Sequence, residues 1–369
     1  MKVSIERDVL LSGLRAVKGA VEKRSTMPIL SSVLLAAFST TGRIAMRATD
    51  LDIEISHSVV ADVSAPGVVA VDVDKLQSFI SKLPAGATVK LSADDSSIKV
   101  LCGRSRVTLF TQQSSEFPSI SAGDATTHRF SIPLVDLGSL LGRAQFAIST
   151  EETRYYLNGI HMHVVDGDLR AVATDGHRLA MVKAAAPNGS EGMPGIIIPR
   201  KTVGEILKLC DGDGDATVNL SATKIIVSAM DVTITSKLID GTFPDYERVI
   251  PRGNNKNAIM DRQSLVACAS RIGTMADVGR GRAAKLSFSK GAMLLSVKNQ
   301  GAGDAAEDID AEYAGENLDV GFNLGYLSDI VGEMFGDKIC FSMADPGAPT
   351  IITSPGDDST LAVLMPMRV

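Results

Sequence analysis

Residues 73–83 read VDKLQSFISKL, and the apolar pattern of this stretch returns twice further along the chain. Its apolar residues at positions i, i+3, i+4 and i+7 are Leu76, Phe79, Ile80 and Leu83. That spacing predicts an α-helix with one buried face. Residues 199–210 (PRKTVGEILKLC) and 323–335 (NLGYLSDIVGEMF) repeat the spacing, so they predict two further helices of the same kind.

Another helical segment precedes each of these three. The earlier segments are Glu6–Val21, Ile132–Ile148 and Met260–Ala276. Short stretches with alternating apolar residues follow each later helix, which predicts strands. They are Ala87–Leu91, Ala216–Leu220 and Lys338–Phe341, followed by Val107–Thr111, Val232–Ser236 and Leu361–Met365.

Two short motifs also recur in the same order. Ala48-Thr49-Asp50 returns as Ala173-Thr174-Asp175, and Glu116-Phe117-Pro118 returns as Thr242-Phe243-Pro244. So many landmarks at nearly one spacing indicate a triplicated unit. The predicted fold class is α+β: three tandem copies of one domain, each with two helices and antiparallel sheets. Linkers rich in Ser, Gly, Asn and Asp predict domains at 1–121, 128–251 and 257–369.

Composition limits the function. The 369 residues carry a net charge of -6, which argues against holding nucleic acid by bulk positive charge. The six helical segments, counted over residues 6–23, 72–83, 132–146, 199–210, 260–275 and 322–334, hold 12 basic and 10 acidic residues, so they are positive relative to the rest. No apolar stretch suits a membrane span, and MKVSIERDVLL has no signal-peptide core. Four widely spaced cysteines favour the cytoplasm over a disulfide framework or a zinc site.

Several strings together resemble the bacterial DNA polymerase III beta subunit family, the replicative sliding clamps. They are RYYLNGI at 154–160, ATDGHRLA at 173–180, PRK at 199–201, GTFPDY at 241–246 and LMPMRV at 364–369. The resemblance covers the whole chain. It implies the DNA clamp fold, in which one chain is half of a closed, head-to-tail homodimeric ring around duplex DNA. It also implies a processivity subunit with no catalytic activity, no cofactor and no metal.

The resemblance implies partners as well. These are duplex DNA without sequence preference, the DNA polymerase III catalytic subunit, the clamp loader, and other polymerases and repair proteins that carry a clamp-binding peptide with Gln and Leu or Phe anchors. Apolar and Met side chains suit a groove that several partners share. The residues carried over to this groove are Leu157, Thr174, Gly176, His177, Arg178, Leu179, Pro244, Val249, Val363, Met365, Pro366, Met367 and Arg368.

Two further surfaces follow from the resemblance. DNA contacts are expected from Arg24, Arg154, Tyr155, Tyr156, Arg200 and Lys201, because cations meet phosphates and aromatic rings stack on bases. The ring is expected to close through edge strands of the first and third copies, with opposite charges setting the register. The expected interface residues are Lys75, Arg104, Val107, Leu109, Ile272, Glu307 and Asp308.

Other interpretations stay open at this point. Asp175 and His177 suggest an acid–base site of a triplicated enzyme, although i, i+2 spacing rarely brings two side chains into contact. His161 and His163 share a strand face and suggest two metal ligands, although a plain strand fits better. A clamp-like paralogue that does not serve the main polymerase is a third interpretation.

Overall fold

The computed structural model describes residues 1–22, 26–120, 125–277 and 282–369 in two compact units. The first unit comprises Met1–Val135, Asn188–Ser190 and Gly204–Leu238. The second comprises Asp136–Pro187, Glu191–Val203 and Ile239–Val369. The middle of the chain contributes to both units.

All six predicted helices are confirmed, each shorter than its sequence segment. They are α1 Arg7–Val17, α2 Val73–Ser81, α3 Leu134–Gly142, α4 Arg200–Leu209, α5 Arg262–Gly273 and α6 Leu324–Glu333. Side chains that accept backbone N–H groups fix several helix starts. Asp72 accepts from Lys75 N at the start of α2, and Asp261 accepts from Ser264 N at the start of α5. Among the described residues, no helix is long and apolar enough to cross a membrane.

Strands make up most of the remaining described chain. In the first third they are β1 Lys2–Glu6, β2 Ser32–Phe38, β3 Arg43–Thr49, β4 Ile53–Val60, β5 Asp62–Ala65, β6 Gly67–Asp72, β7 Thr88–Ala93, β8 Ser97–Cys102 and β9 Ser105–Gln112. In the second they are β10 His128–Pro133, β11 Gly159–Val165, β12 Asp168–Thr174, β13 Arg178–Ala185, β14 Ile196–Pro199, β15 Asp215–Leu220, β16 Lys224–Ala229 and β17 Val232–Lys237. In the last they are β18 Lys256–Asp261, β19 Ala283–Ser289, β20 Ala292–Asn299, β21 Gly303–Glu312, β22 Leu318–Asn323, β23 Lys338–Met343, β24 Thr350–Ser354 and β25 Asp357–Leu364.

Each unit is built on one long sheet. The first unit orders its 13 strands β10-β15-β16-β17-β4-β3-β2-β6-β9-β8-β7-β1-β5, and the second orders its 12 strands β14-β11-β12-β13-β25-β24-β23-β18-β21-β20-β19-β22. All strand pairs among the described residues are antiparallel, which confirms the α+β class. Consecutive copies of the repeat are joined edge to edge, by β17 with β4 in the first unit and by β25 with β13 in the second.

The helices bury the predicted apolar faces. In α2, Leu76 and Ile80 are fully buried. In the second unit, Leu265 of α5 and Leu327 of α6 join one cluster with Phe288 of β19. Burial of such side chains contributes about 1.5–3 kcal/mol each. The loops and strand edges lie outside these cores and remain available for interfaces.

Candidate peptide-binding groove and interface strands

The ATDGHRL segment forms a tight turn between β12 and β13. The Oδ1 atom of Asp175 accepts hydrogen bonds from the backbone of His177 at 2.9 Å and of Arg178 at 3.0 Å. The hydroxyl of Thr174 accepts from Gly176 N at 3.1 Å. Gly176 has φ +88°, which disfavours any side chain. Asp175 therefore holds the backbone of the turn, as an Asx residue does, and leaves His177 exposed at its tip.

Arg178 is fixed on several sides. Its guanidinium bonds Asp175 at 3.1 Å and Asp329 of α6 at 2.5 Å. The same group lies over the ring of Tyr326, 4.4 Å from the centroid, and over Phe146 at 5.2 Å. A planar cation stacked between rings and paired with carboxylates is a rigid wall rather than a mobile surface charge.

Beside this turn lies the apolar floor of the predicted groove. Leu157, Leu179 and Val363 are 4%, 2% and 1% exposed and belong to one cluster. Phe243 and Tyr246 complete that cluster from the loop at 239–250. The β13–β25 register places Leu179 opposite Val363, because the last strand of the chain pairs with the strand after the turn.

The C-terminal segment runs from the turn after β12 to β22. Met365 N donates to His177 O at 2.9 Å, and Met367 N donates to Gly321 O at 2.8 Å. Met365 remains exposed, and Pro366 is half-buried. The structure therefore brings the turn, the floor and Met365 together. Arg368 lies elsewhere and lines a cavity of about 450 Å³ with Lys285 and Lys298.

The outer wall of the groove comes from the 239–250 loop. Pro244 follows the buried Phe243, and Val249 N donates to Tyr246 O at 3.0 Å in a short helical turn. Both Pro244 and Val249 are exposed. They flank the cluster instead of belonging to it.

Sequence reasoning missed the residues that hold Arg178, namely Phe146, Tyr326 and Asp329. The only sequence signal is that Tyr326 and Asp329 lie off the apolar stripe of the last helix. His177 stacks on Tyr326 at 6.0 Å, so the aromatic ring supports two groove residues at once.

The predicted DNA-contacting residues of the second unit lie on two neighbouring segments, since Arg200 N donates to Asn158 O at 3.0 Å. Arg154 pairs with Glu151 at 2.7 Å, and this hydrogen bond raises the pKa of Arg154. Tyr155 is exposed and meets Tyr156 edge to face at 5.8 Å. Arg200 and Lys201 are exposed in the first turn of α4. Arg24 lies outside the described residues.

Besides the end strands β5, β10, β14 and β22 of the two sheets, β9 and β21 present open edges within the described residues. Residues 105–110 of β9 pair only with β8, since β6 reaches β9 only at Thr111 and Gln112. Residues 303–310 of β21 pair only with β20. An unpaired strand edge is a template for another chain. Phe110, which is 90% exposed, lies on the first of these edges.

The predicted interface residues mostly surround these edges. Lys75 and Arg104 are exposed, Val107 and Leu109 are half-buried on β9, and Asp308 is exposed on β21. Glu307 accepts a hydrogen bond of 3.0 Å from the Nε atom of Arg271, and this bond lowers the pKa of the Glu307 carboxyl group. Ile272 is only 5% exposed within the core of the second unit, so it offers little area to a partner.

Comparison with known proteins agrees with this geometry. Three family models match: DNA polymerase III beta subunit N-terminal domain over 1–121, central domain over 131–245 and C-terminal domain over 247–368. The beta sliding clamp of Caulobacter vibrioides is 41% identical over 376 residues, and that of Pseudomonas aeruginosa is 36% identical over 371, with both chains covered completely in each case.

Solved structures give the same result. A Bartonella birtlesii sliding clamp bound to griselimycin superposes with a TM-score of 0.96 at 43% identity, and Caulobacter crescentus pol III beta with 0.92 at 41%, each covering 100% of both chains. The fold is that of a DNA sliding clamp. The chain belongs to the bacterial DNA polymerase III beta subunit family, whose members are non-catalytic processivity subunits in DNA replication.

Proposed function

We propose that two copies of this chain close head to tail into a ring around duplex DNA, and that the groove tethers the replicative polymerase to it. The single observation that carries the proposal is the pair of open strand edges on β9 and β21. Heterologous contacts that close on themselves make rings. Each copy supplies both strand edges of such a contact, so two copies can form two identical contacts with each other.

The internal repeat supplies a register for that contact. Asp50, Asp175 and Asn299 are equivalent, since the side chain of each accepts a backbone N–H from two residues further on. In each copy, the residue two positions before this Asp or Asn lies in a strand. The residues opposite it in the neighbouring strand are Ile55, Ala180 and Ala305, in the order of the three copies. β4, β13 and β21 are therefore equivalent strands. The first two already pair with β17 and β25.

By the same logic β9 is the partner of β21 in a second copy. Ser105 is equivalent to Val232, because each is the first strand residue after a two-residue turn. Val232 lies opposite His57, the counterpart of Glu307, and Ile234 lies opposite Ile55. The inferred register puts Ser105 opposite Glu307 and Val107 opposite Ala305. Arg104 then faces Asp308.

Topological linkage explains how an acidic chain serves on DNA. Residence comes from the closed ring, so strong phosphate contacts are unnecessary and would hinder sliding. We assign weak, sequence-independent contacts to Arg24, Arg154, Tyr155, Tyr156, Arg200 and Lys201.

The clamp loader opens the ring, and other polymerases and repair proteins use the same groove. We also propose domains at 1–121, 128–251 and 257–369, and the cytoplasm as the compartment.

Charge reversal at the two edges tests the ring. R104E/R106E makes β9 acidic, and D304K/D308K makes β21 basic. Sedimentation velocity should show a dimer for the wild type and monomers for each variant. An equimolar mixture should restore the dimer, since both junctions of the mixed ring then join opposite charges. K290E, in the turn between β19 and β20, is the matched control and should remain dimeric. Variants that stay dimeric alone, or a mixture that stays monomeric, contradict the proposal.

A further inference from the structure

We propose that His161 and His163 position the 239–250 loop that walls the peptide groove, and that protonation of this pair weakens peptide binding. The proposal rests on the groove described above and adds a pH response to it. His161 and His163 lie on β11 and are not among the predicted groove residues. They act through Phe243 and Tyr246 of the loop.

The rings form a continuous stack. His163 lies on His161 with centroids 4.6 Å apart, and His161 lies on Phe243 at 4.8 Å with an angle of 7° between planes. Tyr246 closes the other end, with its ring 5.6 Å from His163 and its hydroxyl 3.1 Å from His163 Nε2. The loop is therefore fastened to β11 at two places by ring contacts.

The sheet places this stack directly beside the groove floor. Across one row of the face, His161 neighbours Val172, which neighbours Met181. In the adjacent row Leu179 neighbours Val363, the floor pair. Val172 and Leu179 share one apolar cluster with Phe243 and Tyr246. A shift of the loop away from the histidines would thus remove part of the groove wall.

The first repeat shows that the fold does not require histidines here. Leu34 is the counterpart of His161: it pairs with Ala70 as His161 pairs with Ile197, and it packs in a cluster with Phe117. The counterpart of His163 is Ala36. The equivalent strand of the first copy thus carries two apolar residues, so the histidine pair is particular to the second copy.

Both imidazoles are poor sites for a proton. Burial, reinforced by His163, lowers the pKa of His161 to about 4. Burial also lowers the pKa of His163, with a further decrease from Arg170 and a smaller increase from Glu247. In the described chain, the Nδ1 atoms of both rings are buried without a hydrogen-bond partner. A proton placed there would leave a buried charge poorly compensated.

The charged groups around the pair are few. From β12, Arg170 lies opposite His163; from the loop, Glu247 bonds Arg170 at 3.0 Å and Tyr246 presents its hydroxyl. Asp166 lies 3.8 Å from Arg170 in the adjoining turn. Toward His161, β14 presents Ile197 and the loop presents Phe243. The nearest fixed cation is therefore Arg170, which opposes protonation.

The sign of the pH effect follows from these directions. With the loop detached, both histidines regain an ordinary pKa near 6.5. The detached state then binds more protons, so docking of the loop is fully favourable above that pH and weakens as the pH falls toward 4. By linkage, a peptide that requires the docked loop must lower the pKa of both histidines further.

Fluorescence anisotropy with a fluorescein-labelled peptide, Gly-Gln-Leu-Ser-Leu-Phe, tests the proposal between pH 7.5 and 5.0. For the wild type, Kd should rise about tenfold on acidification. H161L/H163Q, which borrows Leu34 and keeps a hydrogen-bond partner for Tyr246, should bind at pH 7.5 and change less than about twofold. H128Q on β10 is the matched control and should behave as wild type. Circular dichroism at each pH verifies folding.

The outcomes separate the two proposals. No binding of the wild type at pH 7.5 defeats the groove itself. Binding with a pH-independent Kd, or equal pH dependence in H161L/H163Q, leaves the groove intact and overturns the positioning role. Loss of the pH dependence in H177Q would assign it to the turn histidine instead. As a second readout, NMR titration of the histidine rings should show lower pKa values with peptide than without.

Discussion

The turn after β3 and the turn after β12 share one backbone but differ in the side chains around them. In both, an Asp Oδ1 atom accepts two backbone N–H groups, and a Thr hydroxyl accepts a third. In both, the residue after the Asp has a positive φ, 82° at Leu51 and 88° at Gly176. The repeated Ala-Thr-Asp motif is therefore a structural element in each copy.

The surroundings of the two turns separate their roles. In the first unit the strand pair at the floor position is Glu54 opposite Thr235, whereas in the second it is Leu179 opposite Val363. Arg47 of the first unit lies over Phe117, 5.5 Å from the ring centroid, and Glu54 accepts from Ile120 N at 3.1 Å. Val172 occupies the equivalent of Arg47. The same scaffold thus gives a polar, self-bonded surface once and an apolar groove once.

The third copy differs again at the position of Leu179. Its turn residue is Asn299, and the counterpart of Leu179 is Asp304, which lies opposite Lys298 on β20. A carboxylate there suits a charged edge better than an apolar groove. Among the described residues, the second copy alone has an apolar residue at this position, Leu179, where the other copies have Glu54 and Asp304.

The largest expected effect comes from giving the second turn the floor of the first. L179E/V363T should lower affinity for a clamp-binding peptide by about 100-fold or more, because a carboxylate would stand in the buried floor. Fluorescence anisotropy measures the change. E54Q in the first unit is the control and should leave affinity unaltered. A folded L179E/V363T protein that binds normally would refute the importance of the floor.

A smaller effect is expected at Arg178, which ends the second turn. Arg178→Lys keeps the charge but loses the stacking on Tyr326 and the two-carboxylate geometry, so the free energy of unfolding of the second unit should fall by about 1–2 kcal/mol. Urea denaturation measures it. The exposed Arg248, paired with Asp245 at 2.7 Å, provides the comparison: Arg248→Lys should change stability by less than about 0.5 kcal/mol. Equal effects would argue against a structural role for Arg178.

The smallest expected effect concerns the positive-φ residue itself. Gly176→Ala should cost about 1 kcal/mol, since a Cβ at that φ is strained and would lie 2.7 Å from the Arg154 guanidinium. Leu51→Asn should be neutral within about 0.5 kcal/mol, because a side chain already occupies that conformation and Asn tolerates it. Thermal unfolding of both variants distinguishes them. A neutral Gly176→Ala would show that glycine is not needed in the second turn.

Much of the fold could be predicted because its signals are local. The i, i+3, i+4, i+7 stripe of Leu76 and Ile80 depends only on helix geometry. The first two copies of the turn kept Ala-Thr-Asp, so the repeat was visible. The third copy of the turn could not be recognised in the sequence, because Asn299 accepts the same kind of hydrogen bond but follows Val297 and Lys298. The hydrogen bond of the turn is kept in this copy although the Ala-Thr-Asp sequence is not.

The sequence could not predict which side chains distant along the chain would contact each other in the fold. Nothing near His161 and His163 predicts a stack with Phe243, which lies 80 residues away in the chain. The sequence match also misaligned one pair of equivalent strands. ATVKL and ATVNL match by letter, but in the structure Val218 is the counterpart of Leu91, because Val218 lies opposite Phe130 and Leu91 lies opposite Val3. The structural alignment therefore differs from the letter match by two residues. Ile272 was expected at the interface from the resemblance, but it is only 5% exposed and faces the core, because helix rotation decides exposure.

Retention on circular versus linear DNA tests the ring most directly. Protein would be loaded onto nicked circles with a bacterial clamp loader and ATP, isolated by gel filtration, and the circles then cut once with a restriction enzyme. The ring predicts that protein stays on intact circles and is lost after cutting, at a salt concentration that suppresses phosphate contacts. Equal retention on circles and linear DNA would contradict it, since direct contacts would then hold the protein.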